Sequence, residues 1–381
     1  MTPRPFHQLR LVMGAIIIAI AMGLAACAST PGTLTDEQRL HLRAAASDFT
    51  ALGLGAIIEK REDGRRTPGS PEFFEWWYFD GLLDDGTVVV VWFGDNWLYG
   101  SHQRTVSIEV TPPGRPTRKL MSKLSDPGSF AQDHADVRIG PHTFEGNLDT
   151  YTIHVDAAAT GGLGCDLTLR RRVPSYRPAT GHIAAGDKFF AWLVAVPEGE
   201  IRGTLTADGV TRTVTGSGYH DHNWGNVSPA DIFDEWWWGR GLAGEHTVIA
   251  SVIRAKPRVG GNRVPLFFVG KERATEVNAY EGAVAVSEGR LTHHPDPKHE
   301  REIDSSVAFA TNSGTNARFE ISQRMLTSSD LLEDKGFALR LAARVLGLHP
   351  WYTRFESPIS LTLPGARSTA GSGTLEYYEL K

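Results

Sequence analysis

The side chains with the greatest capacity for chemistry lie in two neighbouring segments, residues 218–226 (GYHDHNWGN) and residues 234–239 (DEWWWG). Together these segments contain two histidines, several acids and amides, and four tryptophans. A packing core needs few such polar groups, because each buried polar atom requires a hydrogen-bond partner. The composition therefore indicates a site that handles protons beside an apolar ligand.

Residues 219–224 are predicted to be a strand, in which successive side chains point to opposite faces. One face carries His220, His222 and Trp224, and the other carries Tyr219, Asp221 and Asn223. All six side chains share one pocket only if a bulge interrupts the strand, and the neighbouring glycines permit one. The strand geometry therefore leaves three interpretations open.

The first interpretation is a metal site. A His-x-His pair on one strand face has the spacing of zinc ligands, as His220 and His222 do. A third ligand must then come from elsewhere in the chain, and the candidates are His182, His246 and His349. On this interpretation the protein is a zinc hydrolase that loses activity to chelators.

The second interpretation is an acid–base site for an apolar substrate. Protonation of an isolated alkene requires a strong acid in a dry pocket, with aromatic faces to stabilise the carbocation. Asp221 beside an imidazolium is a candidate, because the positive charge makes the carboxylic acid a better proton donor. The same charge lowers the protonated fraction near neutrality, so the pair must be partly desolvated. The candidate aromatic walls are Trp76, Trp77, Trp224, Trp236, Trp237 and Trp238.

The third interpretation is structural. Here residues 220–223 connect two parts of the fold through satisfied hydrogen bonds, and the tryptophans belong to the core. A further aromatic and charged patch, residues 349–356, is predicted to be structural rather than catalytic. Its Tyr352 is nevertheless a candidate ligand contact.

Two carboxylates, Glu75 and Glu235, precede tryptophans on strands that must be half buried. Each is a candidate catalytic group, but pairing with arginine is the commoner outcome for a buried carboxylate. The candidate partners are Arg240 and Arg354.

The elements that must position these side chains are predominantly β-strands. From residue 73 onwards, apolar residues alternate with period two between recurring turn residues. A short N-terminal helix is predicted to begin at residues 35–38, and a C-terminal helix over residues 329–347. The fold class is therefore all-β, with antiparallel sheets or barrels. The predicted strands cover residues 87–94, 105–111, 151–156, 166–172, 189–196, 201–206, 211–217, 247–253, 265–269, 283–287, 318–323, 359–363 and 374–380.

A repeated tripeptide indicates an internal duplication of the chain. The tripeptide Glu-Trp-Trp occurs at residues 75–77 and again at residues 235–237, an offset of 160 residues with aromatic residues repeated on both sides. This offset is about one domain length. We therefore predict two tandem β-domains, residues 71–225 and 226–381, in which each copy opens the first strand of its barrel.

The N-terminus has the pattern of an exported lipoprotein. Basic residues precede an apolar stretch, residues 11–24, which is too short to span a bilayer comfortably. The stretch ends Leu-Ala-Ala-Cys, which resembles a bacterial lipobox with Cys27 as the lipidated residue. We predict a signal peptide over residues 1–26, a tether and linker over residues 27–70, and a lipid anchor in the cell envelope, on the periplasmic side at the outer membrane.

The composition of the chain limits the classes of partner that are expected. The net charge of −5, with acids and bases interspersed, gives no indication of nucleic acid as a partner. Ten Trp and 17 Phe in 381 residues indicate a large aromatic core or an apolar pocket. If Cys27 is acylated, Cys165 has no disulfide partner and is predicted to be a buried strand residue. The sequence shows neither a Gly-x-Ser-x-Gly elbow nor a dinucleotide-binding fingerprint.

Four motifs together resemble the carotenoid 1,2-hydratase (hydroxyneurosporene synthase) superfamily, which also includes AttH-like bacterial proteins and the fungal Diels–Alderases of decalin biosynthesis. The motifs are residues 219–226 (YHDHNWGN), 75–78 (EWWY), 237–240 (WWGR) and 373–378 (GTLEYY). The resemblance covers residues 70–381. It implies a pair of lipocalin-like β-barrel domains, with an apolar ligand bound in or between them and no cofactor.

The resemblance also implies an activity, because hydratase members add water across the terminal double bond of acyclic carotenoids. It assigns proton handling to His220, Asp221, His222 and Trp224, with Tyr219 and Asn223 in support. We expect Asp221 to be the general acid, and His220 and His222 to tune and reprotonate it. The expected ligand contacts are Tyr219, Asn223, Trp77, Trp236, Trp237, Trp238 and Tyr352.

Three functions of different kinds follow as expectations. The first is hydration of a long, apolar, unsaturated isoprenoid, polyene or lipid. The second is a lipocalin-like envelope lipoprotein that binds or carries such a molecule without chemistry. The third is pericyclase-like shaping of a polyene, which needs aromatic walls but no acid.

Overall fold

Antiparallel β-sheet dominates the computed structural model, which describes residues 34–98, 101–124, 128–333, 340, 343 and 349–380. Residues Asp36–Lys381 form one compact unit. Two large curled, barrel-like sheets and few helices confirm the predicted all-β, lipocalin-like class. The predicted signal peptide and Cys27 lie outside the described residues.

The first sheet has 13 strands in the described part of the chain, and most of them alternate buried and exposed side chains as expected for a curled sheet with one apolar face. Its main order is β5-β4-β3-β2-β13-β12-β10-β9-β8-β7-β6, with β11 paired to β12 and β1. The strands are β1 His41–Leu42, β2 Phe74–Leu83, β3 Val88–Leu98, β4 Ser101–Thr111, β5 Arg118–Leu124, β6 Ser129–Phe130, β7 Ala135–Ile139, β8 His142–Gly146, β9 Thr150–Val155, β10 Leu163–Arg171, β11 His182–Ala185, β12 Lys188–Ala207 and β13 Val210–Gly225.

The second sheet has 10 strands among the described residues, and a separate two-stranded hairpin accompanies it. Its order is β17-β16-β15-β14-β25-β24-β22-β21-β18, with β23 paired to β24. The strands are β14 Phe233–Ala243, β15 His246–Ala255, β16 Arg263–Lys271, β17 Ala274–Tyr280, β18 Val284–Glu288, β19 Leu291–His293 and β20 Glu302–Asp304 (the hairpin), β21 Ser306–Thr311, β22 Asn316–Glu320, β23 Met325–Asp330, β24 Trp351–Thr362 and β25 Thr369–Glu379.

The helices are short and correct two expectations. The N-terminal helix is α1 (Ala46–Leu52), later than predicted, because Leu40 and Leu42 are buried with period two beside β11 and so favour an extended chain. The predicted start of the C-terminal helix is wrong, because residues 329–330 are the end of strand β23. Within the rest of the predicted helix, residues 334–339, 341–342 and 344–348 lie outside the described residues. The other helices with described bounds are α2 (Ala157–Thr160) and α3 (Pro229–Ile232), and 3₁₀ turns lie at Asp36–Gln38, Lys60–Asp63, Pro257–Val259 and Glu281–Ala283.

The long hairpin β12–β13 forms the middle of the first sheet. Its two-residue turn is Asp208-Gly209, and both residues have positive φ, 53° and 75°. This is the geometry that matches the right-handed twist of the flanking strands and that favours Asp-Gly. The predicted strands 201–206 and 211–217 therefore lie in the two arms of one hairpin, which are 20 and 16 residues long.

Three large apolar clusters make up most of the core in the described part of the chain. One lies inside the first sheet and includes Phe93 and Phe144, and another lies inside the second sheet and includes Phe267 and Phe309. The remaining cluster contains side chains from both sheets, among them Tyr219 and Phe268. Apolar packing therefore continues between the sheets. Cys165 is buried in the first cluster.

The repeated Glu-Trp-Trp motif occupies equivalent strands in the two sheets. Residues 75–77 lie in β2, between β3 and β13, and residues 235–237 lie in β14, between β15 and β25. In both copies the second tryptophan, Trp77 or Trp237, packs inside its own sheet. The division of the chain into two domains at residue 225 stays a prediction.

A buried ionic cluster joins the two sheets. Asp80 of β2 forms ion pairs with Arg240 of β14 and Arg354 of β24, and Arg354 also lies 3.6 Å from the Glu376 carboxylate of β25. The sequence suggested Glu75 and Glu235 as the partners of these arginines, but both arginines pair with Asp80 instead. Period two explains the difference, because Glu75 and Trp77 point into the first sheet whereas Asp80 points towards the second.

No helix in the described part of the chain is long and apolar enough to cross a membrane.

The ionic cluster predicts a large stability effect at Asp80. Asp80→Asn leaves the buried guanidinium group of Arg354 and the half-buried one of Arg240 without their shared carboxylate, so we expect the free energy of unfolding in urea to fall by about 3–5 kcal/mol. The matched control is Asp149→Asn, which removes an exposed ion pair with Arg171 and is expected to cost less than about 1 kcal/mol. Equal losses in the two variants would contradict the role assigned to the cluster.

Candidate functional site

Strand β13 carries the candidate residues on two opposite faces. Its pairing with β2 runs without a register shift from Gly216 to Gly225, so no bulge interrupts this part of the ladder. The even-numbered side chains point into the first sheet, and the odd-numbered ones point towards the second. The six candidates on residues 219–224 therefore form two separate clusters.

The cluster inside the first sheet centres on Asp63. Its Oδ2 accepts hydrogen bonds from Tyr151 Oη at 2.5 Å and His220 Nε2 at 3.1 Å. His220 Nδ1 donates to the Tyr78 carbonyl oxygen at 2.8 Å. Burial lowers the pKa of His220, but Asp63 and the Tyr78 carbonyl outweigh it and raise that pKa above its usual value. His220 and Asp63 are thus a buried, hydrogen-bonded pair.

His222 extends the same cluster. Its Nε2 donates to Glu75 Oε1 at 2.9 Å, and its ring stacks on Trp77 with a centroid distance of 4.5 Å. Glu75 also accepts hydrogen bonds from the backbone N–H groups of Arg66 and Thr67. His220, His222 and Glu75 are all fully buried, so this inner cluster holds the 3₁₀ segment Lys60–Asp63 and its neighbours against the sheet.

Trp224 belongs to the inner side as well. Its ring lies 4.7 Å from His222, and His182 meets it edge-on at 5.6 Å. The side chain packs with Ala191 and Leu193 in a small apolar cluster. His220, His222 and Trp224 are therefore brought together with one another but not with Asp221.

Asp221 stands on the other face, fixed by three donors. Its Oδ2 accepts hydrogen bonds from Trp192 Nε1 at 2.9 Å and Tyr219 Oη at 2.7 Å, and its Oδ1 accepts one from Asn223 Nδ2 at 2.8 Å. Tyr219 is held in turn between Trp238 and the guanidinium of Arg240. Three hydrogen bonds from three side chains fix both the position and the orientation of this carboxyl group.

Asp221 lines a cavity of about 140 Å³ between the two sheets. Aromatic and aliphatic side chains make up most of its wall, and Asp221, Asn223, Ser251 and Glu376 are its polar members. The apolar members are Trp76, Tyr78, Ile183, Phe190, Trp192, Phe233, Trp236, Trp238, Ile253, Leu266 and Tyr378. An apolar cavity with a few convergent polar groups is the usual form of a small-molecule site.

The two cavity carboxyls have perturbed acidity. Burial raises the pKa of Asp221, against the opposing effect of its hydrogen-bond donors Tyr219 and Trp192. Burial also raises the pKa of Glu376, against the opposing charge of Arg354. Carboxyl groups in such surroundings hold a proton at a pH where an exposed carboxyl has lost it.

The structure brings only part of the predicted set to the cavity. Trp236 and Trp238 line the cavity with Asp221 and Asn223. Tyr219 does not line it but donates a hydrogen bond to Asp221, which does. Trp77 and Trp237 do not, because period two turns them into the interiors of their own sheets, where Trp237 stacks on Tyr377 at 4.2 Å. Tyr352 lies behind Tyr378, with a centroid distance of 4.4 Å.

The sequence missed Asp63, Trp192 and Glu376. Asp63 lies in a polar, turn-rich segment that has the composition of a linker, yet its side chain is 1% exposed. Trp192 could have been found from the sequence. It lies on the hairpin arm next to the motif, and the N–H group of a buried tryptophan needs an acceptor, which Asp221 could provide. Glu376 was part of the quoted C-terminal motif but received no role.

The metal interpretation finds no cluster to support it. In the described part of the chain, no group of three or more His, Cys, Asp or Glu side chains is arranged to hold a metal ion. His220 and His222 instead contact Asp63 and Glu75 through their ring nitrogens. Both histidines are occupied by protein acceptors.

Comparison with known proteins agrees with this architecture. No protein-family model matches the chain. The chain is 25% identical to a hydroxyneurosporene dehydrogenase of Chlorobaculum tepidum over an alignment of 266 residues. The alignment covers 58% of this chain and 67% of that protein.

Solved structures share the fold at low sequence identity. The crystal structure of CghA with Sch210972 has a TM-score of 0.58 at 16% identity and covers 85% of this chain and 96% of that one. A putative AttH from Nitrosomonas europaea has a TM-score of 0.55 at 14% identity, covering 85% and 97%. Kievitone hydratase from Nectria haematococca has a TM-score of 0.55 at 13% identity, covering 85% and 93%. The predicted resemblance to an AttH-like, lipocalin-like superfamily is confirmed.

The two-faced strand predicts that the inner cluster controls stability rather than ligand contact. Glu75→Gln replaces an acceptor oxygen of a buried pair with an amide, so we expect the free energy of unfolding to fall by about 3 kcal/mol. Binding of 2-methyl-2-heptene, followed by tryptophan fluorescence, should stay within a few fold in the folded variant. Unchanged stability with lost binding would place the ligand in the inner cluster and contradict the assignment.

Proposed function

We propose that this AttH-like, lipocalin-like protein is a hydratase that adds water across a terminal double bond of a long apolar isoprenoid or polyene without a cofactor. The observation that carries the proposal is the position of Asp221. Its carboxyl group is buried, fixed by three donors and exposed to an apolar, aromatic cavity. This is the setting that protonation of an isolated alkene requires.

The size of the cavity favours recognition of a chain end. Its volume of about 140 Å³ is close to that of an engineered apolar cavity of roughly 150 Å³ that binds benzene. A terminal isopropylidene group, with its five-carbon isoprene unit, has a similar size. We infer that the cavity takes the end of the substrate, while the rest of the chain extends out of it.

The chemistry needs one proton and one water molecule. Asp221 donates its proton to the less substituted alkene carbon, and the π electrons form the new C–H bond, which leaves a tertiary cation on the neighbouring carbon. Trp236 and Trp238 present aromatic faces to that cation. Water then supplies the electron pair of the new C–O bond and loses a proton, which restores the neutral product.

The three donors on Asp221 aid this step. As the proton leaves, negative charge develops on the carboxylate, and hydrogen bonds to it become stronger. Tyr219, Trp192 and Asn223 therefore stabilise the transition state more than the ground state. The walls around them exclude water and make this difference larger than it is in solution.

The comparisons support the reaction type by analogy. One protein of the same fold is a kievitone hydratase, which is the analogy for the reaction, and one relative in sequence is a hydroxyneurosporene dehydrogenase, which is the analogy for the class of substrate. A carotenoid as the substrate is the more specific form of our proposal. His220 and His222 act in it through the fold, by holding β13 in place, and not by contact with Asp221.

A carrier is the alternative function, and the cavity's apolar wall is the observation that favours it. On this proposal the protein is an envelope lipoprotein, anchored to the outer membrane through Cys27, which binds an isoprenoid or lipid unchanged. The same anchor serves the hydratase, because a long apolar substrate resides in a membrane.

Asp221→Asn separates the two functions. Incubation of the protein from Ala28 onwards with lycopene in ¹⁸O-labelled water should give a labelled single-water adduct, detected by mass spectrometry. We expect the variant to lose at least about 100-fold in turnover, the usual contribution of a positioned general acid, and to bind 2-methyl-2-heptene within a few fold of wild type. Asp166→Asn, at an exposed carboxylate, is the matched control and should keep full activity.

Two results would contradict the hydratase. Lycopene that co-purifies unchanged with the wild-type protein would favour the carrier. A changed polyene whose formation survives Asp221→Asn would favour shaping of the polyene by the aromatic walls without an acid.

A further inference from the structure

Glu376 is a second carboxyl group at the cavity, and it has an unused acceptor. The residue lines the cavity and is 7% exposed. Its Oε1 accepts no hydrogen bond from any described residue and lies 3.6 Å from Arg354 Nε, beyond hydrogen-bond distance. Protein atoms enclose Oε1, so the water-binding position at Glu376 is the part of its carboxyl group that meets the cavity.

Asp221 and Glu376 occupy equivalent places in the two sheets. Asp221 lies opposite Tyr78 in the β13–β2 ladder, and Glu376 lies opposite Trp238 in the β25–β14 ladder. Tyr78 and Trp238 are 160 residues apart, which is the offset of the repeated Glu-Trp-Trp motif. The duplicated architecture thus directs one carboxyl group from each sheet into the same cavity.

The surroundings of the two carboxyl groups differ. Asp221 is held by three neutral donors, whereas Glu376 lies next to Arg354, whose other hydrogen-bonding groups are taken by Asp80 and Tyr78. The hydroxyl group of Tyr352 also lowers the pKa of Glu376. The ionisable groups that face Glu376 from the elements around it are Arg354, Arg240, Tyr352, Tyr378, Tyr78 and Asp221. The two arginines favour the ionised form of Glu376.

Two carboxyl groups at one cavity share protons unequally. The negative charge of Asp221 raises the pKa of Glu376, and burial raises the pKa of both groups, so the pair keeps a proton over a pH range in which isolated carboxyls are ionised. Such a pair provides one acid and one base. The cationic neighbours of Glu376 assign the base to Glu376 and the acid to Asp221.

We propose that Glu376 is a second catalytic carboxyl group, which binds the attacking water and accepts its proton. The inference rests on the proposed hydratase function and adds to it the group that activates the water. Asp221 gives its proton to the alkene carbon, water forms the C–O bond with the resulting cation, and the proton that the water loses goes to Glu376. Transfer of that proton from Glu376 back to Asp221 closes the cycle without an oxidant or a reductant.

Glu376→Gln and Glu376→Asp test the assignment in the chain from Ala28 onwards, with lycopene and ¹⁸O-labelled water. We expect Gln to lower kcat on the order of 100-fold with KM within a few fold, as expected for loss of a general base. Asp retains the carboxyl group and should recover part of the loss. Glu320→Gln, at an exposed glutamate of the same sheet, is the matched control.

The pH profile gives a readout that a structural role would not move. Wild-type kcat/KM should be bell-shaped, because activity is lost at low pH as Glu376 takes a proton and at high pH as Asp221 loses one. Glu376→Gln should abolish the fall at low pH and keep the fall at high pH. A Gln variant with activity within threefold of wild type and an unchanged low-pH limb would overturn the inference.

Infrared spectroscopy tests the proton assignment without turnover. At neutral pH we expect the carbonyl band of a buried protonated carboxyl in wild type and in Glu376→Gln, and its loss in Asp221→Asn. Loss of the band in Glu376→Gln instead would overturn the assignment of the base. A wild-type protein that makes no adduct contradicts the proposed function, and the infrared result still decides the inference on the pair.

Discussion

The strict two-residue alternation of β13, held in register by β2, is the constraint on which the rest of the structure depends. Between Gly216 and Gly225 the ladder has no shift, so each side chain is committed to one face. His220 and His222 enter the first sheet, and Asp221 enters the space between the sheets. A shift of one residue would exchange these groups and would leave charged side chains in both cores without partners.

The side chains on the two faces of strand β13 have different roles. Inside the first sheet, Asp63 and Glu75 accept hydrogen bonds from the histidines and fix the strand in a fully buried setting. Between the sheets, Tyr219 and Asn223 orient Asp221 from its own strand, and Trp192 does so from β12. The ionic cluster around Asp80 then sets the position of the second sheet, which contributes Glu376 and two tryptophans to the cavity. Stability and chemistry are therefore carried by adjacent residues on opposite sides of one strand.

Much of this arrangement was predictable, because it rests on local patterns. Alternating apolar residues and an Asp-Gly turn define strands and a hairpin from short segments of chain, and the period of two already separated Asp221 from His220 and His222. The face that meets a ligand was not predictable, since it depends on how the sheets pack. The acceptor for His220 also had no local signal, because any of 44 acidic residues could supply it and Asp63 lies 157 positions away.

The remaining differences have the same origin in long-range contacts. Leu40 and Leu42 have good helix propensity, but burial beside β11 overrides it. Arg240 and Arg354 were assigned to the wrong carboxylates because their partner, Asp80, becomes their neighbour only when the sheets meet. The equivalence of Asp221 and Glu376 was implicit in the 160-residue repeat, yet it required the pairing of β14 with β25 to become visible.

The central claim is that the ligand binds between the sheets, at Asp221, and not inside the first sheet beside the histidines. Anomalous scattering from crystals soaked with a bromine-substituted alkene that ends in an isopropylidene group tests this claim most directly. We predict a bromine peak in or at the mouth of the cavity lined by Asp221, Trp236 and Trp238. A peak inside the first sheet next to His220 and His222, or no peak between the sheets, would contradict the account.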